Sequence, residues 1–406
     1  MSSWVDYSAA FLFSIYKIYY TYLKNLEITD TSYGGAGVGR SESGQVIFVQ
    51  KTVEGDIIDA KIYEDKKSFA KAELIKIIKP SSFRIEPACI YTGECGGCSF
   101  AHIDYDAQKN IKKRIVLNQF RKYSHIMPEI KFFSESSKHY RLRATARSSH
   151  GQIGFFKHGS NTLIKAEKCL IIKESLYNKM KEFASINNLT GEIYAIENND
   201  DLSLADIKAE SIDYKSMAGF DGVCINNKKY GLSTISFNTP YGAVPVTYKS
   251  FFQANRFLLN TFQEYAVNLV SNGLDIVELY AGAGFFTCGL MQKGSVSACE
   301  SEQISSNLGR GAGYNIATKE SALFLSKIKK CDSIFLDPPR DGADKKVIEN
   351  IKRLRPYEII YVSCNPVTLA RDIIRLEKEY KITDFAVFDM YPDTYHIESV
   401  VRLQRV

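Results

Sequence analysis

The feature that most restricts the fold lies near residue 280. Asp275-Ile-Val-Glu-Leu-Tyr-Ala281 is an apolar run suited to a buried strand, and it passes into Gly282-Ala-Gly284 and then a helical stretch, FFTCGLMQK. Two glycines at a strand-to-helix turn let a ligand approach the backbone at the carboxyl edge of a parallel sheet. The next apolar run, VSACE, ends at Glu300. An acid at a strand end about twenty residues after such a loop can accept hydrogen bonds from both hydroxyls of a ribose. The spacing is Glu-x-x-x-Gly-x-Gly, not Gly-x-Gly-x-x-Gly, and it suits S-adenosylmethionine better than a dinucleotide. An exposed strand-end acid is the plainer account of Glu300.

Strands alternate with helices through residues 243–406, the sign of a doubly wound parallel sheet. One strand, CDSIFLDPPR, sets Asp337-Pro338-Pro339-Arg340 at its carboxyl end. In amino-group methyltransferases the corresponding tetrapeptide usually ends in an aromatic, so Arg340 argues against nitrogen methylation. The next strand, EIIYVSCNP, delivers Cys364 at its tip. A thiol there, beside an arginine-bearing loop, is placed to be a nucleophile, whereas most cysteines in such runs are inert core. The last segment, YPDTYHIESVVRLQRV, sets His396 and Glu398 just ahead of the final strand, a candidate general base with an orienting neighbour.

The 406 residues call for two or three domains. Residues 26–80 read as about five short strands separated by turn signals, a small closed barrel of oligonucleotide-binding type. The stretch from Tyr33 to Gly39 is rich in glycine but lacks a strand before it and a helix after it, so it reads as a flexible barrel loop. Lys61, Lys66, Lys67, Lys71, Lys76 and Lys79 would make one side of the barrel basic, or simply a solvated face. Residues 1–25 are an N-terminal extension, either a short aromatic helix or the product of a mis-set start. Their apolar stretch, Ala9 to Tyr16, is far short of the roughly 20 residues that span a bilayer.

Residues 81–242 form a central α+β region that opens with Cys89-x5-Cys95-Gly96-Gly97-Cys98. Three thiols so close together, with glycines that let the backbone fold tightly, point to a metal centre. Cys169 is the nearest later thiol that could complete four ligands. Zinc and iron–sulfur both fit this spacing. A helix follows, with Ala107, Ile111, Ile115, Val116 and Phe120 as its apolar stripe and Lys109, Lys112, Lys113 and Arg114 mostly outside it. From Tyr140 the alternation implies an antiparallel sheet. Most of the nine cysteines sit singly in apolar runs, which indicates a reducing, cytoplasmic setting. The net charge, 52 − 46 = +6, permits nucleic-acid binding without arguing for it.

Taken in order, CIYTGECGGC, FFQANRF, VELYAGAG, LDPPR, VSCNP and TYHIESVVRL resemble the RNA uracil-5-methyltransferase family. The likeness is greatest to its iron–sulfur members, the ribosomal RNA 5-methyluridine methyltransferases with an N-terminal TRAM domain, and it covers Leu26 to Val406. It implies a Rossmann-like α/β methyltransferase domain behind an OB-like TRAM barrel and an iron–sulfur domain. It implies that Cys89, Cys95, Cys98 and Cys169 hold a [4Fe–4S] cluster, and that Gln253, Tyr280, Glu300 and Asp337 contact S-adenosylmethionine. Cys364 matches the family nucleophile and Glu398 its base. The implied substrate is RNA, foremost large-subunit ribosomal RNA, with transfer RNA as the alternative, and the implied state is a monomer. Two positions depart from the pattern: Phe285 stands where many members have Asn, and Asp393 where His is usual, so no role passes to Asp393.

Overall fold

A computed structural model describes residues 21–248 and 250–406. The aromatic helix expected at the N-terminus lies outside the described residues, apart from the last few positions of residues 1–25, which form strand. The chain divides between Arg84 and Ile85 into two compact units.

The first unit contains β1 (Tyr22–Thr31), β2 (Gly37–Arg40), β3 (Val46–Val49), β4 (Ile57–Asp65) and β5 (Phe69–Lys79), closed as a barrel in the order β1-β2-β3-β5-β4. Period-two alternation turns Ile28, Ile47, Val49, Ile58 and Ala60 inward, where all are buried. The glycine-rich stretch is only half a loop. Gly34 and Gly35 make the turn at φ +108° and +82°, but Gly37 and Gly39 lie in β2. A Cβ on Gly39 would stand 2.8 Å from the Glu27 carbonyl oxygen, and one on Gly37 would strike Thr52. Glycine therefore serves close strand packing there, not flexibility. The basic side is partly neutralised, since Glu64 takes Lys71 at 2.8 Å and Lys66 at 3.5 Å.

The second unit begins with the cysteine segment and α1 (Tyr105–Gln119), whose cap Asp104 accepts from the N–H groups of Asp106 and Ala107. The expected apolar stripe is buried. Lys112, expected on the solvated side, is instead fully buried, with Nζ 2.6 Å from Asp389 Oδ1 and 3.1 Å from the Tyr391 carbonyl. Burial lowers the pKa of its amine and Asp389 opposes that shift, the carboxylate and the carbonyl standing where water would be.

After β6 (Lys131–Phe133) come β7 (Arg143–Ser149), β8 (Gln152–Phe156), β9 (Leu163–Lys165), α2 (Glu174–Ile186), β10 (Thr190–Glu197), β11 (Ser203–Ser211), β12 (Gly222–Ile225) and β13 (Lys228–Gly231). They form a seven-stranded sheet, β13-β12-β11-β10-β7-β8-β9, antiparallel except for the β11–β12 pair. Leu176, Met180 and Phe183 of α2 are buried in its core. A hairpin of β14 (Thr234–Thr239) and β15 (Gly242–Thr247) follows.

The rest is α3 (Leu259–Asn268), β16 (Leu274–Leu279), α4 (Thr287–Leu290), β17 (Gly294–Glu300), α5 (Gln303–Gly311), β18 (Ile316–Thr318), α6 (Ser321–Lys327), β19 (Ser333–Leu336), α7 (Lys345–Leu354), β20 (Glu358–Ser363), α8 (Pro366–Leu376), β21 (Tyr380–Phe388) and β22 (Glu398–Arg405). The sheet runs β18-β17-β16-β19-β20-β22-β21-β6. Its first five strands are parallel, and β22 enters antiparallel between β20 and β21. This is the doubly wound sheet that the alternation of strands and helices implies. The stretch FFTCGLMQK, expected to be helical, gives only the single turn of α4. One apolar core joins Leu142, Ile196 and Leu204 of the central region to Phe262, Phe335 and Phe388 of the large sheet. Among the described residues, no helix is long and apolar enough to cross a membrane.

Candidate active site

Parallel strands present their carboxyl ends on one edge, so β16, β17, β19 and β20 bring Tyr280, Glu300, Asp337 and Cys364 to the same side of the sheet. The loop after β16 is built for close approach. Gly282 sits at φ +56°, and a Cβ there would meet nothing within 4 Å, which leaves room for a ligand against the backbone. Gly284, at φ +98°, is glycine for another reason: a Cβ would strike the ring of Tyr314. The Glu300 carboxylate accepts from Gly282 N at 3.0 Å and Glu302 N at 2.7 Å, which fixes it beside the loop. Glu302 in turn caps α5, accepting from Ile304 N at 3.0 Å and Ser305 N at 2.6 Å.

Gln253 is buried in the segment 252–255, which is tied down by the Leu142 N–H donating to the Ala254 carbonyl at 2.8 Å. Tyr280 holds φ +61°, an uncommon backbone for a residue with a side chain. Burial raises its phenol to about 12, with Ser321 and the Asp344 main chain as its polar neighbours. Phe285 is core: its ring packs against Phe252, Phe262 and Phe286, and its carbonyl accepts from Gln263 Nε2.

One residue escaped assignment in the sequence. Glu278, the acid of the Glu-x-x-x-Gly-x-Gly pattern, is buried on β16 with Oε2 lacking a hydrogen-bond partner. Burial pushes its carboxyl up to about 8, and nearby Asp337 and Glu300 add to the rise. Asp337 is itself raised to about 7, by burial and then by Glu300. Three acids around one glycine loop favour a cationic ligand, since a positive charge would relieve their mutual repulsion.

The thiol and its partner acid come from neighbouring antiparallel strands. Ser363 pairs with Ser399, so Cys364 and Glu398 leave the ladder together. Glu398 is the first residue of β22, not ahead of it. Cys364 is followed by Asn365, whose side chain caps α8 by accepting from Val367 N at 3.0 Å, and by Pro366 at the first helical position. Asn365 also donates to the Arg340 carbonyl at 2.9 Å, joined there by Thr368 at 3.1 Å. These bonds bind the Asp337–Arg340 loop to the Cys364 turn.

Burial raises the Cys364 thiol to about 12; Glu398 and Asp337 push the same way, and Arg340 opposes them. Glu398 is held well above the usual carboxylate range by burial and by Asp337, again against Arg340. His396 is lowered to about 4 by burial and by the cations Arg340, Lys112 and Arg141. It is therefore a weak base at neutral pH, and Glu398 is the stronger acceptor of the pair.

Cys89, Cys95, Cys98 and Cys169, all free thiols, line one cavity of about 650 Å³. Main-chain N–H groups address the sulfurs, from Gly97 to Cys95 and from Ile171 and Ile172 to Cys169. Among the described residues, no group of three or more His, Cys, Asp or Glu is arranged to hold a metal ion. Four thiols with main-chain N–H donors to sulfur are of the chemical kind that holds either zinc or an iron–sulfur cluster.

Known proteins resemble the chain along nearly its whole length. Residues 323–406 match the family described as tRNA (Uracil-5-)-methyltransferase, and residues 24–75 match the TRAM domain. An RNA methyltransferase of Bdellovibrio bacteriovorus, itself uncharacterized, is 30% identical over 93% of this chain and 94% of its own. The 23S rRNA (uracil(1939)-C(5))-methyltransferase of Shewanella halifaxensis is 27% identical, covering 93% of this chain and 94% of its own. The Pyrococcus abyssi tRNA (uracil-54, C5)-methyltransferase, solved with S-adenosyl-L-homocysteine, superposes with a TM-score of 0.75 at 20% identity, over 93% of this chain and 99% of that one.

Proposed function

The chain belongs to the RNA uracil-5-methyltransferase family and is an S-adenosylmethionine-dependent enzyme, and from that premise we propose that it methylates a uridine of large-subunit ribosomal RNA through a covalent bond to Cys364. The observation that carries the mechanism is the pairing of Cys364 with Glu398 at the edge where the glycine loop opens. Carbon 5 of uracil is a poor nucleophile. Addition of the Cys364 thiolate to carbon 6 makes the base an enolate with negative charge on carbon 5. S-adenosylmethionine, when bound, supplies a methyl group on a sulfonium. Glu398 then takes the carbon 5 proton, the carbon 6–sulfur bond breaks, and the ring double bond returns. Burial and Asp337 raise the proton affinity of this carboxylate, which strengthens it as a proton acceptor. Arg340 is the permanent cation available to the enolate oxygen.

The target base has to leave its stack, which costs a few kcal/mol and least in a loop. Single-stranded RNA segments are therefore the natural substrate, with the TRAM barrel gripping phosphates. Ribosomal RNA is favoured by the Shewanella relative, which matches over 93% of this chain and 94% of its own. Cys89, Cys95, Cys98 and Cys169 would hold a [4Fe–4S] cluster, which when bound would cross-link the segment 89–98 to Cys169 and take no part in methyl transfer. Nine free thiols suit a reducing cytoplasm.

The test is to incubate the enzyme with labelled cofactor and either unmodified large-subunit ribosomal RNA or unmodified transfer RNA, then digest to nucleosides. 5-Methyluridine in the ribosomal RNA alone is expected. Label confined to transfer RNA would overturn the substrate, and label on any other atom would overturn the reaction.

A further inference from the structure

We propose that Gln108 and Asp393 form a latch through which the cysteine-bearing segment positions the loop between β21 and β22 at the mouth of the Cys364–Glu398 site. The role assigned to that mouth rests on the functional reading above.

Asp393 is held at φ +61°, and its N–H, carbonyl and carboxylate are all engaged by residues 100–108. Its N–H donates to Gln108 Oε1 at 3.0 Å, its Oδ1 accepts from Gln108 Nε2 at 2.9 Å, and its carbonyl accepts from Phe100 N at 2.8 Å. Gln108 is 1% exposed and uses both ends of its amide, its two Nε2 hydrogens shared among Asp393 Oδ1 and the carbonyls of Phe100 and Ile103. Along the same face of α1, Tyr105 Oη donates to Asp389 Oδ2 at 3.0 Å, and two turns on Lys112 meets Asp389 Oδ1. The Tyr395 N–H donates to Ser99 Oγ at 3.2 Å, and Ser99 directly follows Cys98.

The loop carries an aromatic wall. The ring of His396 lies 4.3 Å from that of Tyr395 and 5.6 Å from that of Tyr391, and Arg141 stands 6.0 Å over Tyr391. His396 is two residues before Glu398, so this wall stands beside the site, and Arg340, Lys112 and Arg141 are the cations that disfavour protonation of that histidine. An unstacked base meets such rings and guanidinium planes by stacking. The glycine loop, Glu300 and Asp337 come from β16, β17 and β19, strands that do not carry this loop. The latch therefore acts on the RNA side of the site and leaves the cofactor side alone. Gln108 and Asp393 are positioning residues.

The test uses the full-length protein carrying Gln108→Met, which removes the amide but keeps the bulk. Deuterium exchange of the 389–397 amides should quicken, and kcat/KM for RNA should fall by about tenfold or more, since several buried hydrogen bonds go at once. Affinity for S-adenosylmethionine should stay within about twofold, an independent site being untouched. Asp393→Asn keeps the Oδ1 acceptor and tolerates a left-handed backbone, so its kcat/KM should stay within about threefold of the parent. Exchange at the parental rate in Gln108→Met overturns the latch. So does a parallel loss of cofactor affinity, or an Asp393→Asn protein as impaired as Gln108→Met. Should Gln108→Met fail to fold, Ser99→Ala carries the same exchange test, and a parental rate there also overturns the latch. A parent enzyme that methylates no uracil sinks the functional reading, while the exchange comparison still decides the latch.

Discussion

Ser363 and Ser399 face one another across the antiparallel β20–β22 ladder, and this pairing sets Cys364 and Glu398 side by side. In a purely parallel sheet only carboxyl ends reach the ligand edge. Because β22 is inserted antiparallel, its first residue arrives where β20 ends. The nucleophile is thus the residue after one strand, the base is the residue that starts the next, and both ride on backbone fixed by ladder hydrogen bonds.

The chemistry of the thiol should follow from its surroundings. Burial pushes the Cys364 thiol up to about 12, and the Arg340 cation opposes the rise. Iodoacetamide labelling of the Cys364 peptide in the free enzyme should therefore keep climbing with pH through about pH 10, because the thiolate is the reactive form. Arg340→Met removes a permanent cation, raises the thiol further and should slow labelling at every pH. A plateau near pH 8, or faster labelling in Arg340→Met, would contradict the electrostatics.

Cofactor binding should release protons. In the free protein Glu278 and Asp337 are raised to about 8 and about 7, so both are largely protonated at pH 6. A cationic ligand lowers both values, so binding expels protons and affinity should rise with pH until both acids are ionised in the free protein, at about pH 9. Calorimetry in two buffers of different ionisation heat should show proton release with S-adenosylmethionine and less with S-adenosylhomocysteine, which lacks the sulfonium. Equal release from both ligands would contradict this. In the same experiment Glu300→Ala should cost about 1.5–3 kcal/mol, the scale of hydrogen bonds to a charged group.

The cysteine cavity makes a colour prediction. Protein purified without oxygen should be brown, with about four irons per chain, and serine in place of Cys89, Cys95, Cys98 or Cys169 should bleach it. Stoichiometric zinc without iron would refute the cluster.

Most of the site was legible because strand tips announce themselves: Gly282-Ala-Gly284, Glu300, Asp337 and Cys364 each end an apolar run. The five-stranded barrel was legible from its alternation and turns. What stayed hidden depends on contacts distant in sequence. Lys112 sits among charged neighbours on a helix and reads as solvated, and its burial depends on Asp389 and the Tyr391 carbonyl, 277 and 279 positions away. Gly37 and Gly39 look like loop residues until Thr52 and Glu27 are seen against them. Glu278 stands in a run that reads as plain core, and its burial beside two other acids is a property of the folded sheet alone.

The most direct test of the account is a denaturing gel of RNA adducts. Glu398→Gln can still add Cys364 to carbon 6 and accept the methyl group, but it cannot remove the carbon 5 proton, so the sulfur cannot be expelled. It should accumulate a covalent, methylated protein–RNA species when given unmodified substrate RNA and S-adenosylmethionine. Cys364→Ala should bind both ligands, form no adduct and transfer no methyl group. A Cys364→Ala enzyme that turns over, or forms the same adduct, would contradict thiolate addition at this residue.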